Sequence, residues 1–353
     1  MQQRSLQSRS SIHWLFPASL GVLALTACVS PGLNTGGVAT KFNIEVVANV
    51  DNTDNHQANH SFSISASCRA GGQLVGGGYR LISNNNEVNP RTKKGYPILV
   101  VIEGNYPSAR DTWTVQARNP DNTSLYSGDK DVVVIVVAYC VTSANYDLDT
   151  EIREAFRVAS KQPSVTTPID VRCSKTSAIA LSGGFLLKNS LLLPPSSASE
   201  YEAYWPGLHG SGIVASYPLG RDESSSAMGW RIEQAYTPAL YPTAPQVDIG
   251  ATAYLLCARR NIIDEATQIV PAIGTPTVSS PSVLAPCGQG EFTVGGGYRN
   301  VPWTLPSGQG GASEIDGNLA AHSPFSFSNW EVSGDTLGFS IDSLALCVHI
   351  PQI

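Results

Sequence analysis

Cys68-Arg-Ala-Gly-Gly-Gln-Leu-Val-Gly76-Gly77-Gly78-Tyr79-Arg80 is the stretch from which the architecture is read. It returns as Cys287-Gly-Gln-Gly-Glu-Phe-Thr-Val-Gly295-Gly296-Gly297-Tyr298-Arg299. A more divergent copy lies between them, Cys173-Ser-Lys-Thr-Ser-Ala-Ile-Ala-Leu-Ser182-Gly183-Gly184-Phe185. The aromatic residue follows its cysteine by 11, 12 and 11 residues. Triple glycine after an apolar run marks a strand with a bulge or a close backbone approach. A phosphate-binding loop would need Lys-Ser/Thr after the glycines and a helix behind them, and neither follows here.

Working outward, each copy continues to a proline corner and then a tryptophan. These are Asn105-Tyr106-Pro107 before Trp113, Ser216-Tyr217-Pro218 before Trp230, and His322-Ser323-Pro324 before Trp330. An apolar segment then runs into a second cysteine: Val132–Cys140, Ala251–Cys257 and Ser343–Cys347. A further extended segment precedes each opening cysteine, at Asn43–Val50, Asp147–Phe156 and Asn261–Val270. The middle one carries some helical periodicity through Leu148, Ile152 and Phe156. The copies fall at 41–141, 142–258 and 259–353. Six cysteines allow 15 connectivities from spacing alone. The repeat makes local closure the simplest, giving Cys68–Cys140, Cys173–Cys257 and Cys287–Cys347. In the chain-entropy model, loops of this size contribute roughly 4 kcal/mol each.

The pattern inside each copy is β. Trp113-Thr-Val-Gln-Ala-Arg alternates, and Asp131–Tyr139 reads as a strand buried on both faces. Asn119–Asn122 and Ser127–Lys130 are turn chemistry. The fold class expected is all-β, with three tandem disulfide-closed antiparallel β-sandwich-like modules. The alternative is one pseudo-threefold β assembly, such as a β-prism, in which units unable to bury a face alone share a core. The three tryptophans recur at equivalent positions, as core residues do.

Charged residues make up 14% of the chain and the formal charge is −6. Residues 1–27 contain Arg4 and Arg9 and no acid, so the chain from Cys28 onward carries −8. That sign, with no basic cluster, excludes nucleic acid as the expected partner. Arg4 and Arg9 precede a short apolar run, Trp14–Leu25, too short to span a bilayer comfortably. The run ends in Leu25-Thr26-Ala27-Cys28, which resembles the bacterial lipobox. The resemblance implies a lipoprotein signal peptide over 1–27, lipidation of Cys28, and a membrane attachment through that N-terminal lipid. Three acyl chains would make a stable anchor. Val29 rather than Asp after the cysteine implies, by resemblance to enteric sorting, the outer membrane. Residues 28–40 form a Gly/Pro tether.

The order Cys…Gly-Gly-Gly-(Tyr/Phe)…Tyr-Pro…Trp…Cys resembles tandem cysteine-and-triple-glycine modules of secreted bacterial proteins, over nearly all of residues 41–350. The resemblance implies an extracytoplasmic β module and carries no activity with it. Copy two departs from the pattern at Ser182.

No catalytic constellation stands out and no cofactor is implied. His56 and His60 lie beside Asp51 and Asp54, but in a polar stretch that does not match a metal loop. His209 lacks a nucleophile partner. The strongest binding candidate is the segment between each glycine strand and its proline corner, whose composition varies among copies as binding loops on a fixed scaffold do. It carries Tyr201, Tyr204, Trp205 and His209 in copy two, and Trp303 in copy three. Aromatic residues among small polar neighbours suit ligand contact. The expectation is a non-enzymatic, envelope-anchored binding or adhesion protein, with a glycan or an envelope protein as partner. A structural envelope component is the alternative, and a polysaccharide-acting enzyme the third reading.

Overall fold

The computed structural model describes residues 43–56, 60–83, 100–118, 132–142, 147–159, 166–188, 211–221, 227–236, 250–259, 268–274, 282–289, 291–300, 319–326, 329–334 and 341–349. Cys28, the tether, both quoted turn segments and the candidate loop residues Tyr201, Tyr204, Trp205, His209 and Trp303 lie outside them.

Each copy supplies six strands. Copy one has β1 (Asn43–Asn52), β2 (Ser61–Ser67), β3 (Gly72–Ser83), β4 (Val101–Ala109), β5 (Thr112–Arg118) and β6 (Val132–Thr142). Copy two has β7 (Thr150–Val158), β8 (Thr166–Arg172), β9 (Ile179–Lys188), β10 (Ser211–Leu219), β11 (Gly229–Tyr236) and β12 (Gly250–Ala258). Copy three has β13 (Gln268–Gly274), β14 (Ser282–Pro286), β15 (Glu291–Asn300), β16 (Leu319–Ser326), β17 (Asn329–Gly334) and β18 (Ile341–His349). One 3-10 turn, Thr53–Asn55, is the only helical element among the described residues. The segment around Ile152 and Phe156 is a strand despite its helical periodicity, because both of its ends pair with β12.

The strands form three six-stranded antiparallel sheets, and none of them belongs to a single copy. The first wall runs β1-β6-β3-β16-β17-β14, the second β2-β5-β4-β9-β12-β7, and the third β13-β18-β15-β10-β11-β8. Every copy therefore splits in half, and each half joins half of a neighbour, in a cycle that closes when β16 pairs with β3. One buried cluster draws on all three copies. Of the two arrangements open at the sequence level, the strands follow the shared one rather than separate tandem sandwiches. The disulfides pair as the repeat predicts, Cys68–Cys140, Cys173–Cys257 and Cys287–Cys347. Each joins the two halves of one copy across two walls.

The glycines explain why the halves meet. Val75, Leu181 and Val294 are skipped in the ladders between each glycine strand and its closing strand, so each copy has a bulge at the same place. These bulges meet at the centre of the assembly. A Cβ on Gly76 would lie 1.9 Å from the carbonyl oxygen of Val294, and one on Gly295 would lie 2.4 Å from that of Leu181. The middle glycine of each copy lies flat under that copy's own tryptophan. A Cβ on Gly77, Gly183 or Gly296 would come within 2.3 Å of the indole of Trp113, Trp230 or Trp330. All three tryptophans are fully buried. Trp113 Nε1 donates to Asn105 Oδ1 at 2.6 Å, and Trp230 Nε1 to Ser216 Oγ at 2.9 Å.

Two expectations change in detail. The proline corners lie inside β4, β10 and β16. The ladder between copies holds two residue pairs at each seam, such as Gly104↔Leu186 and Asn105↔Phe185, and stops before the proline, which has no N–H to donate. The Val/Ile run of β6 is buried on one face only. Val132, Val134 and Val136 point into the core, while Val133, Ile135 and Val137 are half-exposed on the outside of the first wall.

Candidate functional site

The pairing registers give the assembly two unlike ends. At one end lie the disulfides, the Arg110-Asp111 turn between β4 and β5, and the start of β1, where Asn43 pairs with Thr142. At the other, Ser83 pairs with Val132, Val101 with Arg118, Gly250 with Lys188, and Leu319 with Gly334. Strands β3, β5, β9, β11, β15 and β17 thus finish at this far end, and the strands that follow them start there. The chain positions of Tyr201, Tyr204, Trp205 and His209 fall between β9 and β10, and that of Trp303 between β15 and β16.

The outer faces of the walls differ in chemistry. The first is aliphatic. Val50 pairs with Ile135 and Ile82 with Val133, and Val50, Ile82 and Leu284 are all exposed. Its ion pairs include Arg80–Glu331, which crosses from copy one to copy three, and Arg69–Glu45 at the disulfide end.

The third wall is ionic. Arg231 grips Asp170 through two bonds of 2.6 and 2.7 Å, and Arg299 donates to Asp342 at 2.6 Å. The Arg299 guanidinium lies 5.7 Å from the Tyr217 ring, and the Tyr217 hydroxyl donates to Glu233 at 3.0 Å. Burial, with the Glu233 carboxylate beside it, pushes the Tyr217 phenol up from its ordinary value.

The second wall is hydroxylic and aromatic. Its edge strand β2 alternates so that Phe62, Ile64 and Ala66 are buried and Ser61, Ser63, Ser65 and Ser67 face out. Beside them stand Thr112, Thr114 and Gln116 of β5. Ser65 Oγ and Ser108 Oγ both meet Thr114 Oγ1, at 2.8 and 2.6 Å. At the seam between copies, Tyr106 of β4 and Tyr254 of β12 stack with centroids 4.6 Å apart. They meet because the residue opposite Tyr254 on β9 is Gly184, on which a Cβ would lie 1.8 Å from the carbonyl oxygen of Asn105. Phe156, 54% exposed, lies over Gly250, with Lys188 Nζ 5.0 Å from its ring centroid. Burial raises the Tyr106 phenol and pushes that of Tyr254 up to about 12, helped by the Glu154 charge. Both therefore remain protonated donors near neutrality. At the far-end margin, buried Glu103 accepts from Arg118 Nε at 2.6 Å, Ser61 at 2.5 Å and Gln116 at 3.2 Å.

The histidine–aspartate cluster resolves into a local structural contact. His56 Nε2 lies 2.9 Å from Asp51 Oδ2, and its ring stacks on Phe62 at 3.9 Å. His60 is exposed. Among the described residues no group of three or more His, Cys, Asp or Glu side chains is placed to hold a metal ion. The second-wall surface escapes sequence reasoning because Tyr106 and Tyr254 are 148 positions apart in different copies; only the serine alternation of β2 is visible in the chain. No protein-family model matches the chain, and no curated protein matches it.

Proposed function

We propose that this chain is a non-enzymatic binding or adhesion protein of the bacterial envelope, held to the outer membrane by lipid on Cys28. The observation that carries the reading is the polarity of the assembly. The described chain enters at the disulfide end, at Asn43. The strands flanking the positions of Tyr201, Tyr204, Trp205, His209 and Trp303 end at the opposite side. An anchor at Cys28 attaches to the first end and leaves the second facing away from the bilayer. Three disulfides support an oxidising compartment.

A panel of glycans, cell-wall polymers and envelope proteins, presented to oxidised residues 29–353 and to a Tyr204→Ala/Trp205→Ala variant, tests the reading. Binding to one class, weakened in the variant, is the expected result; binding to none contradicts it. A structural component that assembles with a protein partner is the second reading, favoured by the aliphatic first wall. Co-purification of one stoichiometric partner, lost in Ile82→Asp, with no glycan binding, would establish that reading instead.

A further inference from the structure

The far-end loops are one candidate surface; the outer face of the second wall is another, built wholly from strands. We infer that this wall is a binding site for an uncharged polysaccharide. The inference rests on the reading of the chain as a binding protein and adds to it a site and a ligand class.

Three features of the wall favour that ligand. The first is its composition. Ser61, Ser63, Ser65, Ser67, Thr112 and Gln116 form a hydroxyl and amide field beside the stacked Tyr106–Tyr254 pair, with buried Thr114 bridging Ser65 and Ser108 beneath it. Tyrosine supplies rigid amphipathic contact area, and serine with glycine supplies adaptable hydrogen bonding at small entropic cost. A sugar presents the complementary pattern, with C–H faces for the rings and hydroxyls for the field. The second is shape. Gly104, Gly184 and Gly250 carry no side chain on β4, β9 and β12, and Leu186, the Asn105 backbone and Phe156 occupy the space a Cβ would take there. Serines at every second residue of β2 recur at roughly 6.8 Å and extend the field over about 20 Å. An extended, repeating surface suits a polymer better than a single small molecule, for which a concave pocket is the rule.

The third is charge. The wall offers no cationic field: Glu154 stands opposite Tyr254 on the β7 edge, Glu103 is buried against Arg118 at the far-end margin, and Lys188 lies over Phe156. An anionic polymer meets no cationic field there. A protein partner would be drawn to the aliphatic first wall, where Val50, Ile82 and Leu284 are exposed. The phenols remain donors because the pair is half-buried and neither hydroxyl is near its ionisation range at neutral pH.

The test is sedimentation of the oxidised chain with insoluble cellulose and with chitin, beside a gel-shift in soluble alginate as the anionic control. Two wall variants are compared with the parent. Tyr106→Ala/Tyr254→Ala removes the aromatic pair, and Ser63→Arg alters only an exposed edge position and leaves the fold intact. Ile82→Ser on the first wall serves as the control. The expected result is binding to at least one neutral polymer, weakened tenfold or more by both wall variants and unchanged by Ile82→Ser. Binding that persists in both wall variants overturns the wall assignment and leaves the broader binding reading standing. A parent chain that sediments with neither polymer, or that shifts only in alginate, overturns the ligand class. Capture of an envelope protein through the first wall in that case would retain a binding role without this site.

Discussion

The centre of the assembly and its outer walls have opposite histories written in the same three copies. At the centre the copies share the same features: bulge, glycine over tryptophan, aromatic, disulfide. On the walls they share almost nothing, and the three faces are aliphatic, hydroxylic and ionic. The difference is physical. Central positions are fixed by backbone atoms within 1.8 to 2.6 Å of where a Cβ would stand, so almost no side chain can replace glycine. Wall positions meet solvent and are free to diverge. Shared architecture is thus concentrated at the axis, and individual chemistry on the walls.

The comparison breaks first, and with the largest effect, at the glycines. Gly77→Ala sets a methyl group 2.3 Å from the Trp113 indole and 2.6 Å from the Val137 carbonyl oxygen, neither of which can retreat. Overpacking of this kind exceeds the usual 1–3 kcal/mol, and loss of the cooperative melt is expected. Gly71→Ala is the counter-case: its φ is +84° with nothing within 4 Å, so thermal unfolding should report only about 1–2 kcal/mol. Removing one disulfide, as in Cys173→Ala/Cys257→Ala, should cost up to about 4 kcal/mol, read as a shift in denaturation midpoint.

Next comes the indole partner. Asn105→Ala leaves the buried Trp113 N–H without its acceptor, and a loss of about 1–3 kcal/mol is expected in urea titration. Asn105→Ser, the residue copy two uses, should recover part of that loss.

Copy two supplies the smallest effect. Only one Cβ fits where the three bulges meet, and Ser182 provides it, 2.9 Å from where one on Gly295 would stand. Its buried Oγ has no hydrogen-bond partner among the described residues. Ser182→Ala should therefore be neutral or stabilise by up to about 1 kcal/mol in the same titration. A clear destabilisation would show that the hydroxyl is satisfied.

Acid sharpens the contrast between margin and centre. Burial raises the Glu151 carboxyl, but hydrogen bonds from Ser174 and the Arg259 guanidinium outweigh it and hold the group below its ordinary value. A lowered carboxylate stabilises the fold above its unfolded value and ceases to do so as pH falls through the folded one. Stability should therefore decline below about pH 4.5, the ordinary glutamate value. Glu151→Gln should lose part of that pH dependence.

Much of this was legible in the chain because it is repeated and local. The threefold repeat around the cysteines gives the disulfides, and Gly76–Gly78 and Gly295–Gly297 give the bulged strands. The exchange of halves was not legible. Asn105 pairs with Phe185, Ser216 with Tyr298 and His322 with Tyr79 through backbone groups, and a backbone ladder leaves no side-chain signature of its partner. The Val132–Tyr139 run misleads for a related reason: an aliphatic outer face reads like a second buried face when only composition is visible. The second-wall site is assembled across a seam, so its aromatic pair has no spacing to detect.

The central claim is that the three copies are one cooperative unit rather than three. Thermal unfolding of oxidised residues 41–141, followed by circular dichroism beside the full chain, tests it most directly. Copy one alone leaves β3 without β16 and β4 without β9, with its inner faces uncovered. The account predicts no cooperative melt for the fragment as a monomer and a single transition for the full chain. A monomeric fragment that melts cooperatively near the temperature of the full chain would contradict it.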